Sequence, residues 1–128
     1  MQSDPQRRAR GAQKIGEILG QTPEQVERSL GDVAPQLATH VLETIYGEIY
    51  QSRALDARTR QIVTVAALAT LGTAAPQLRT HIGGALRCGV TREELVEIMM
   101  QLGPFVGVAA AINGVAACRE VFAASDKT

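Results

Sequence analysis

The stretch from Asp56 to Gly72, DARTRQIVTVAALATLG, decides the fold of this chain. Asp is a favoured N-cap residue and Gly a favoured terminator, so the pair predicts one helix over residues 57–71. Residues 62–71 are apolar on nearly every side of this helix, apart from two threonines. A helix that is apolar all round is normally buried, which predicts a central position in a helical core.

Further helices are predicted on both sides of this segment. A capping box, in which a threonine is followed three residues later by Gln or Glu, opens two of them at Thr22 and at Thr91. Gly103 and Pro104 are expected to end the sixth helix. Together with these two, the helices predicted outside residues 57–71 span residues 6–19, 23–30, 35–50, 76–88, 92–102 and 105–123. Without any strand pattern, this order indicates an all-α single domain over residues 1–128.

The amino-acid composition and the apolar pattern limit the partners and the location that we expect for this protein. Thirteen basic and thirteen acidic residues cancel, which argues against nucleic acid as a partner. No apolar run resembles a signal peptide or a membrane span of roughly 20 residues, so we expect a cytoplasmic protein with no membrane partner. Seven short helices, two of them apolar on most sides, present more hydrophobic surface than a monomer of this size covers. Self-association is therefore expected.

The cysteines and one histidine are expected to be structural. Cys88 and Cys118 lie far apart and form no CxxC, so neither a zinc site nor a dithiol can be assembled locally. Two reduced, buried thiols are the simplest interpretation. His40 has no neighbours that could complete a set of metal ligands, so no metal site is predicted.

One carboxylate stands out in the predicted third helix. At 100° per residue one stripe of this helix comprises Leu37, Val41, Thr44, Ile45 and Glu48. A charge on an apolar stripe must be paired, protonated or directed into a pocket, because burying it alone costs several kcal/mol. Glu48 is therefore either a candidate acid or base, or a member of an ion pair with an arginine such as Arg58 or Arg60.

His81 is the second candidate. It lies at the edge of the face formed by Leu78, Ile82 and Ala85, where an imidazole can be half covered and still reach a cavity. Cys88 shares that side of the helix, but two turns, or about 10.5 Å of rise, are too long for it to be activated directly by His81.

Arginines cluster around these candidates in the sequence, and a guanidinium suits a carboxylate substrate. Most of them are expected to lie on the surface. Arg58, one turn before Ile62, is the one expected to look inward.

Several segments resemble the carboxymuconolactone decarboxylase family over residues 37–122. They are GEIY at 47–50, LDARTR at 55–60, LRTHI at 78–82 and GVTREE at 89–94. Gln101, Phe105 and the run GVAAA that starts at Gly107 are similar to the family's Gln…Tyr-x-Gly-x-Pro-Ala-Ala segment, with Phe and Ala in place of Tyr and Pro.

This resemblance implies an orthogonal bundle of six or seven helices, with the alkylhydroperoxidase-like fold, that forms a trimer or a hexamer with pockets between subunits. It implies cofactor-free decarboxylation of a small carboxylate or lactone substrate. His81 would be the acid or the oxyanion donor, Glu48 its orienting partner and Arg58 a carboxylate anchor. Gln77 and Phe105 would bind substrate; they stand where the decarboxylases often carry Glu and Tyr, so a proton donor is missing.

Two alternatives remain open. The wider family includes alkylhydroperoxidases whose CxxC precedes the histidine, but Ala74 and Gln77 occupy those places here. A thiol peroxidase would therefore have to use Cys88 or Cys118, with a depressed thiol pKa. The other alternative is a non-catalytic oligomeric member that has kept the fold and lost the reaction.

Overall fold

Residues 4–128 are described by a computed structural model, and over these residues the chain forms helices and no strand. The all-α prediction is confirmed. The α-helices are α1 (Pro5–Leu19), α2 (Pro23–Leu30), α3 (Pro35–Thr39), α4 (Ala57–Leu71), α5 (Ala75–Arg87), α6 (Arg92–Val106) and α7 (Val108–Asp126). Between α3 and α4 the chain forms a π-helix, His40–Tyr46, and a 3₁₀ turn, Ile49–Gln51.

The chain divides into two compact units. The N-terminal unit is Met1–Leu55 and the C-terminal unit is Asp56–Thr128. The candidate histidine and its neighbours on α4 and α5 belong to the C-terminal unit, whereas Glu48 belongs to the N-terminal unit. A single domain over residues 1–128 stays a prediction.

The capping signals start the helices where the sequence predicts. Thr22 and Gln25 form the capping box of α2, and Thr91 and Glu94 form that of α6. The side chain of Asp56 accepts a hydrogen bond of 2.7 Å from an amide N–H in the first turn of α4. These contacts satisfy amide groups that have no partner inside the helix.

The prediction of one α-helix over residues 35–50 is wrong from His40 onwards. The α-helix ends at Thr39, and the wider turns of the π-helix rotate the side chains that follow out of the predicted stripe. Gly11 of α1 makes room for the π-helix, because a Cβ there would lie 1.7 Å from the carbonyl oxygen of Leu42. Leu42 and Tyr46 are consequently buried, whereas Leu37 is exposed.

The sixth helix is also longer than predicted. It continues through Pro104 to Val106, so Gly103 and Pro104 do not end it and α7 begins only at Val108. The nitrogen of Pro104 cannot donate the helical hydrogen bond to the carbonyl of Met100, and the helix continues for only two residues beyond it. The end comes at Gly107, whose φ of 105° favours glycine.

The core of the C-terminal unit is built from small and aliphatic side chains. It comprises Val65, Ala69, Leu78, Ile82, Ala85, Val90, Leu95, Met99, Ala117 and Cys118. Gly114 of α7 allows a side chain of α6 to approach closely. A Cβ on Gly114 would lie 2.3 Å from the Met99 sulfur of α6.

Apolar side chains also remain outside this core. In the single chain α4 buries only one face, and Val63 and Leu71 on it are exposed, so the predicted central position of α4 is not reached within one chain. α7 is long and apolar enough to cross a membrane by length and composition alone, and 17% of its apolar window is buried. Self-association and the absence of a membrane partner stay predictions.

Replacement of Gly11 by alanine should destabilise the protein. The new methyl group would meet the Leu42 carbonyl, and overpacking of this kind costs about 1–3 kcal/mol. Gly16→Ala in the same helix is the matched control, because its Cβ would stand 3.8 Å from the nearest atom outside the helix, the Gln21 carbonyl oxygen. Urea unfolding of both variants measures the difference. Equal stability of the two variants would contradict the close approach of α1 to the π-helix.

Candidate functional site

His81 lies on α5 at the edge of the buried face of that helix. Leu78 and Ile82, which flank it on the helix surface, are buried in the core of the C-terminal unit, and the imidazole itself is partly buried. The predicted placement of His81 is confirmed. Core side chains therefore fix the position of this histidine, which leaves the ring little freedom to move.

Gln61 is the partner of His81. Its side chain is fully buried on α4, and its Oε1 lies 3.0 Å from Nδ1 of His81. A carbonyl oxygen only accepts hydrogen bonds, so this contact is a hydrogen bond in the tautomer that carries the hydrogen on Nδ1, which leaves the lone pair on Nε2. The other atom of the amide, Nε2 of Gln61, is buried without a hydrogen-bond partner among residues 4–128.

Burial lowers the pKa of the His81 imidazole below its ordinary value. Desolvation disfavours the charged form of a histidine, so the ring is neutral at pH 7. A neutral imidazole can accept a proton at one nitrogen while the other donates a hydrogen bond. A histidine in this state is suited to moving protons in a reaction near neutral pH.

Sequence reasoning missed Gln61. The buried face of α4 repeats every four residues through Gln61, Val65 and Ala69. A search for charged and ionisable groups passes over a glutamine, although this spacing places it on the face that the two apolar residues bury. The signal that could have identified Gln61 is its four-residue spacing from the apolar, buried Val65.

Glu48 does not occupy the position predicted for it. Its side chain is 56% exposed, and its Oε2 lies 3.2 Å from Nη1 of Arg7. The π-helix that precedes Glu48 accounts for the difference, because it turns this carboxylate away from the buried stripe. Glu48 is thus a member of an ion pair, which was the second of its two predicted roles, and its partner is Arg7 of α1.

The buried carboxylate of the N-terminal unit is instead Glu43, on the π-helix. Its Oε1 accepts a hydrogen bond of 2.7 Å from the backbone N–H of Asp4, the N-cap residue of α1. The N-terminus of a helix favours negative charge, so this position is favourable for a carboxylate. Glu43 thus stabilises the start of α1.

Arg58 is bound to Glu94. Nη2 of Arg58 donates to Oε2 of Glu94, while Oε1 of the same carboxylate accepts from the Thr91 N–H in the capping box of α6. The hydrogen bond from Arg58 lowers the pKa of Glu94 to about 2. Both side chains are partly exposed, so a second carboxylate can still approach the guanidinium.

The other two predicted binding residues are exposed in the single chain. Gln77 lies one turn before His81 on α5, and Phe105 in the last turn of α6 is 80% exposed. Among residues 4–128, neither side chain forms a hydrogen bond with His81, whose partner is Gln61. Their predicted role in binding substrate stays a prediction.

The two cysteines differ in burial. Cys118 is buried in the core, and burial raises the pKa of its thiol to about 11, while Cys88 is partly buried. Neither Cys88 nor Cys118 forms a disulfide. In the part of the chain from residue 4 onwards, no group of three or more His, Cys, Asp or Glu side chains is arranged to hold a metal ion.

Comparison with known proteins identifies a protein family that matches most of this chain. The model that describes the carboxymuconolactone decarboxylase family matches residues 35–120. An uncharacterized 15.0 kDa protein of Paracoccus denitrificans is 31% identical over 101 residues, which cover 78% of this chain and 75% of that protein. The 4-carboxymuconolactone decarboxylase of Acinetobacter baylyi is 30% identical over 123 residues, 94% of this chain and 90% of that enzyme.

The ring of His81 should titrate below the ordinary histidine value of about 6.5, because burial disfavours the imidazolium. The unfolded chain then binds this proton more readily than the folded one, so the contribution of His81 to the free energy of unfolding rises with pH and levels off above the unfolded value of about 6.5. The chemical shifts of the ring protons, followed by NMR against pH, give the midpoint. A midpoint above 6.5 would contradict the burial of the ring.

Proposed function

The chain belongs to the carboxymuconolactone decarboxylase family, and from this we propose that it is a cofactor-independent carboxy-lyase acting on an unsaturated lactone acid of the carboxymuconolactone type. The relative of that name aligns with nearly the whole chain. The observation that carries the proposal is a neutral histidine, partly buried and held by Gln61, at the position where the resemblance expects the proton-transferring group.

The chemistry of such a substrate explains why no cofactor is needed. The carboxylate leaves from the γ carbon of an unsaturated lactone, and the electron pair of the broken carbon–carbon bond passes through the ring double bond to the lactone carbonyl. The resulting dienolate then takes up one proton at the α carbon, which gives the product and carbon dioxide. The protein has to stabilise the negative oxygen and supply that proton.

His81 supplies the proton in this proposal. The neutral imidazole takes a proton from water at Nε2, and the imidazolium passes it to the α carbon, so that one turnover consumes one solvent proton. The lowered pKa of His81 makes the imidazolium a stronger acid than an exposed histidine would form. This favours proton transfer to carbon, which is intrinsically difficult.

The second carboxylate of the substrate needs a cation, and we assign this role to Arg58. Its guanidinium has five N–H donors, and its hydrogen bond to Glu94 leaves other donors for a ligand. The proposal gives Glu48 less weight than His81. The carboxylate of Glu48 is exposed and already paired with Arg7, so it does not face a buried pocket.

Self-association is part of the proposal. Large apolar side chains are exposed on α6 and α7, among them Met100, Phe105, Val108 and Ile112. An exposed apolar patch of this kind is typical of a subunit interface. We propose a homo-oligomer, a trimer or a hexamer, in which Phe105 becomes covered and lines the binding site.

The thiol peroxidase alternative has less support. A peroxidatic cysteine needs a depressed pKa and access to peroxide, but Cys118 is buried and its pKa is raised to about 11. The partly buried Cys88 would have to act without the second thiol of a CxxC motif.

The test is decarboxylation by purified, metal-free protein. Wild-type protein should release carbon dioxide from 4-carboxymuconolactone, and His81→Ala should lower kcat/KM by roughly 100-fold or more, as expected for loss of a general acid. His40→Ala, which removes the other histidine of the chain, is the matched control and should keep wild-type turnover.

Equal loss of activity in the two histidine variants would contradict a specific role of His81. Wild-type protein that binds no unsaturated lactone and turns over none would favour the non-catalytic alternative. Peroxide-dependent formation of sulfenic acid at Cys88, with turnover of peroxide, would favour the thiol peroxidase.

A further inference from the structure

Gln61 determines which nitrogen of His81 carries the hydrogen. We propose that Gln61 is a positioning residue that keeps the hydrogen on Nδ1 and leaves Nε2 as the nitrogen that exchanges protons with the ligand. That a ligand meets Nε2 rests on the proposed function. The tautomer itself can be tested in the resting protein.

The first argument is the chemistry of the two atoms in contact. Oε1 of Gln61 lies 3.0 Å from Nδ1 of His81, and an amide oxygen has no hydrogen to donate. If the hydrogen were on Nε2, two lone pairs would face each other across this distance. Because Gln61 is fully buried, water could not relieve that contact from the glutamine side.

The second argument is the way in which the amide is held. Gln61 stands on the buried face of α4, one turn before the core residue Val65. Its carboxamide has one hydrogen bond among residues 4–128, the bond to His81, and its amide nitrogen is buried without a partner there. Among these residues, the bond to His81 is therefore the hydrogen bond that orients the amide.

The consequence is a proton path that returns to its starting state. A proton from water binds at Nε2 and is then transferred from Nε2 to the α carbon of the dienolate. Nδ1–H stays bound to Gln61 throughout, so each turnover restores the same neutral tautomer without rotation of the ring. A glutamine cannot exchange protons as a carboxylate does, which confines the exchange to Nε2.

The experiment is a long-range ¹H–¹⁵N NMR correlation of the histidine rings above the titration midpoint of His81, without any ligand. Wild-type His81 should show a pyrrole-like shift for Nδ1 and a pyridine-like shift for Nε2. The opposite pattern, with the hydrogen on Nε2, would overturn the proposal.

Two substitutions of Gln61 test its role. Gln61→Met removes the acceptor at similar volume, so Nδ1 should lose its pyrrole-like shift in part or completely. Gln61→Glu restores an acceptor, so it should restore the Nδ1–H tautomer, and its negative charge should raise the titration midpoint of His81 above the wild-type value. Gln77→Met, an exposed change one turn from His81, is the control and should leave the tautomer unchanged.

A merely structural role for Gln61 would change stability without changing the tautomer. The proposal is therefore overturned if folded Gln61→Met keeps the wild-type nitrogen shifts. If Gln61→Met does not fold, the proposal is tested by two other measurements. These are the His81 nitrogen shifts of the wild-type protein and the titration midpoint of His81 in Gln61→Glu. Failure of the lyase assay together with the expected tautomer would count against the proposed function and not against the role of Gln61.

Discussion

The hydrogen bond between Gln61 and His81 joins α4 to α5 beside the apolar core of the C-terminal unit. A buried carboxamide costs free energy unless it is hydrogen-bonded, so the glutamine on α4 needs the histidine on the next helix. Val65 and Ile82, each close to one of the two partners along its helix, are fully buried. Packing of the core therefore sets the position and protonation of the imidazole, and a site on rigid helices holds its geometry better than one on loops.

Much of the fold could be predicted because local signals and the structure agree. The capping box at Thr91 and the N-cap at Asp56 depend on contacts within one turn, which the sequence contains completely. The π-helix could not be predicted in this way, since it depends on the close approach of Gly11 to Leu42, two residues far apart in the chain. The prediction that Gly103 and Pro104 end the sixth helix was wrong because α6 continues for two residues beyond Pro104, to Val106.

The candidate site was predictable in part. His81 was found because its helix is regular, so its spacing from Leu78 and Ile82 reports its burial correctly. Glu48 was misplaced because the same spacing rule was applied across a π-helix, where the period is different. Gln61 carries no charge and was passed over, although a buried hydrogen-bond partner can fix the orientation and the tautomer of a histidine as firmly as a charged partner does.

The central claim is that a lactone acid meets Nε2 of His81 while Gln61 holds Nδ1. The most direct measurement is the ¹⁵N spectrum of His81 during titration with a saturated lactone dicarboxylate, which lacks the ring double bond and cannot be decarboxylated. We expect the Nε2 signal to shift progressively to saturation while Nδ1 remains pyrrole-like. Binding of the lactone by calorimetry with both His81 nitrogen signals unchanged would contradict the account.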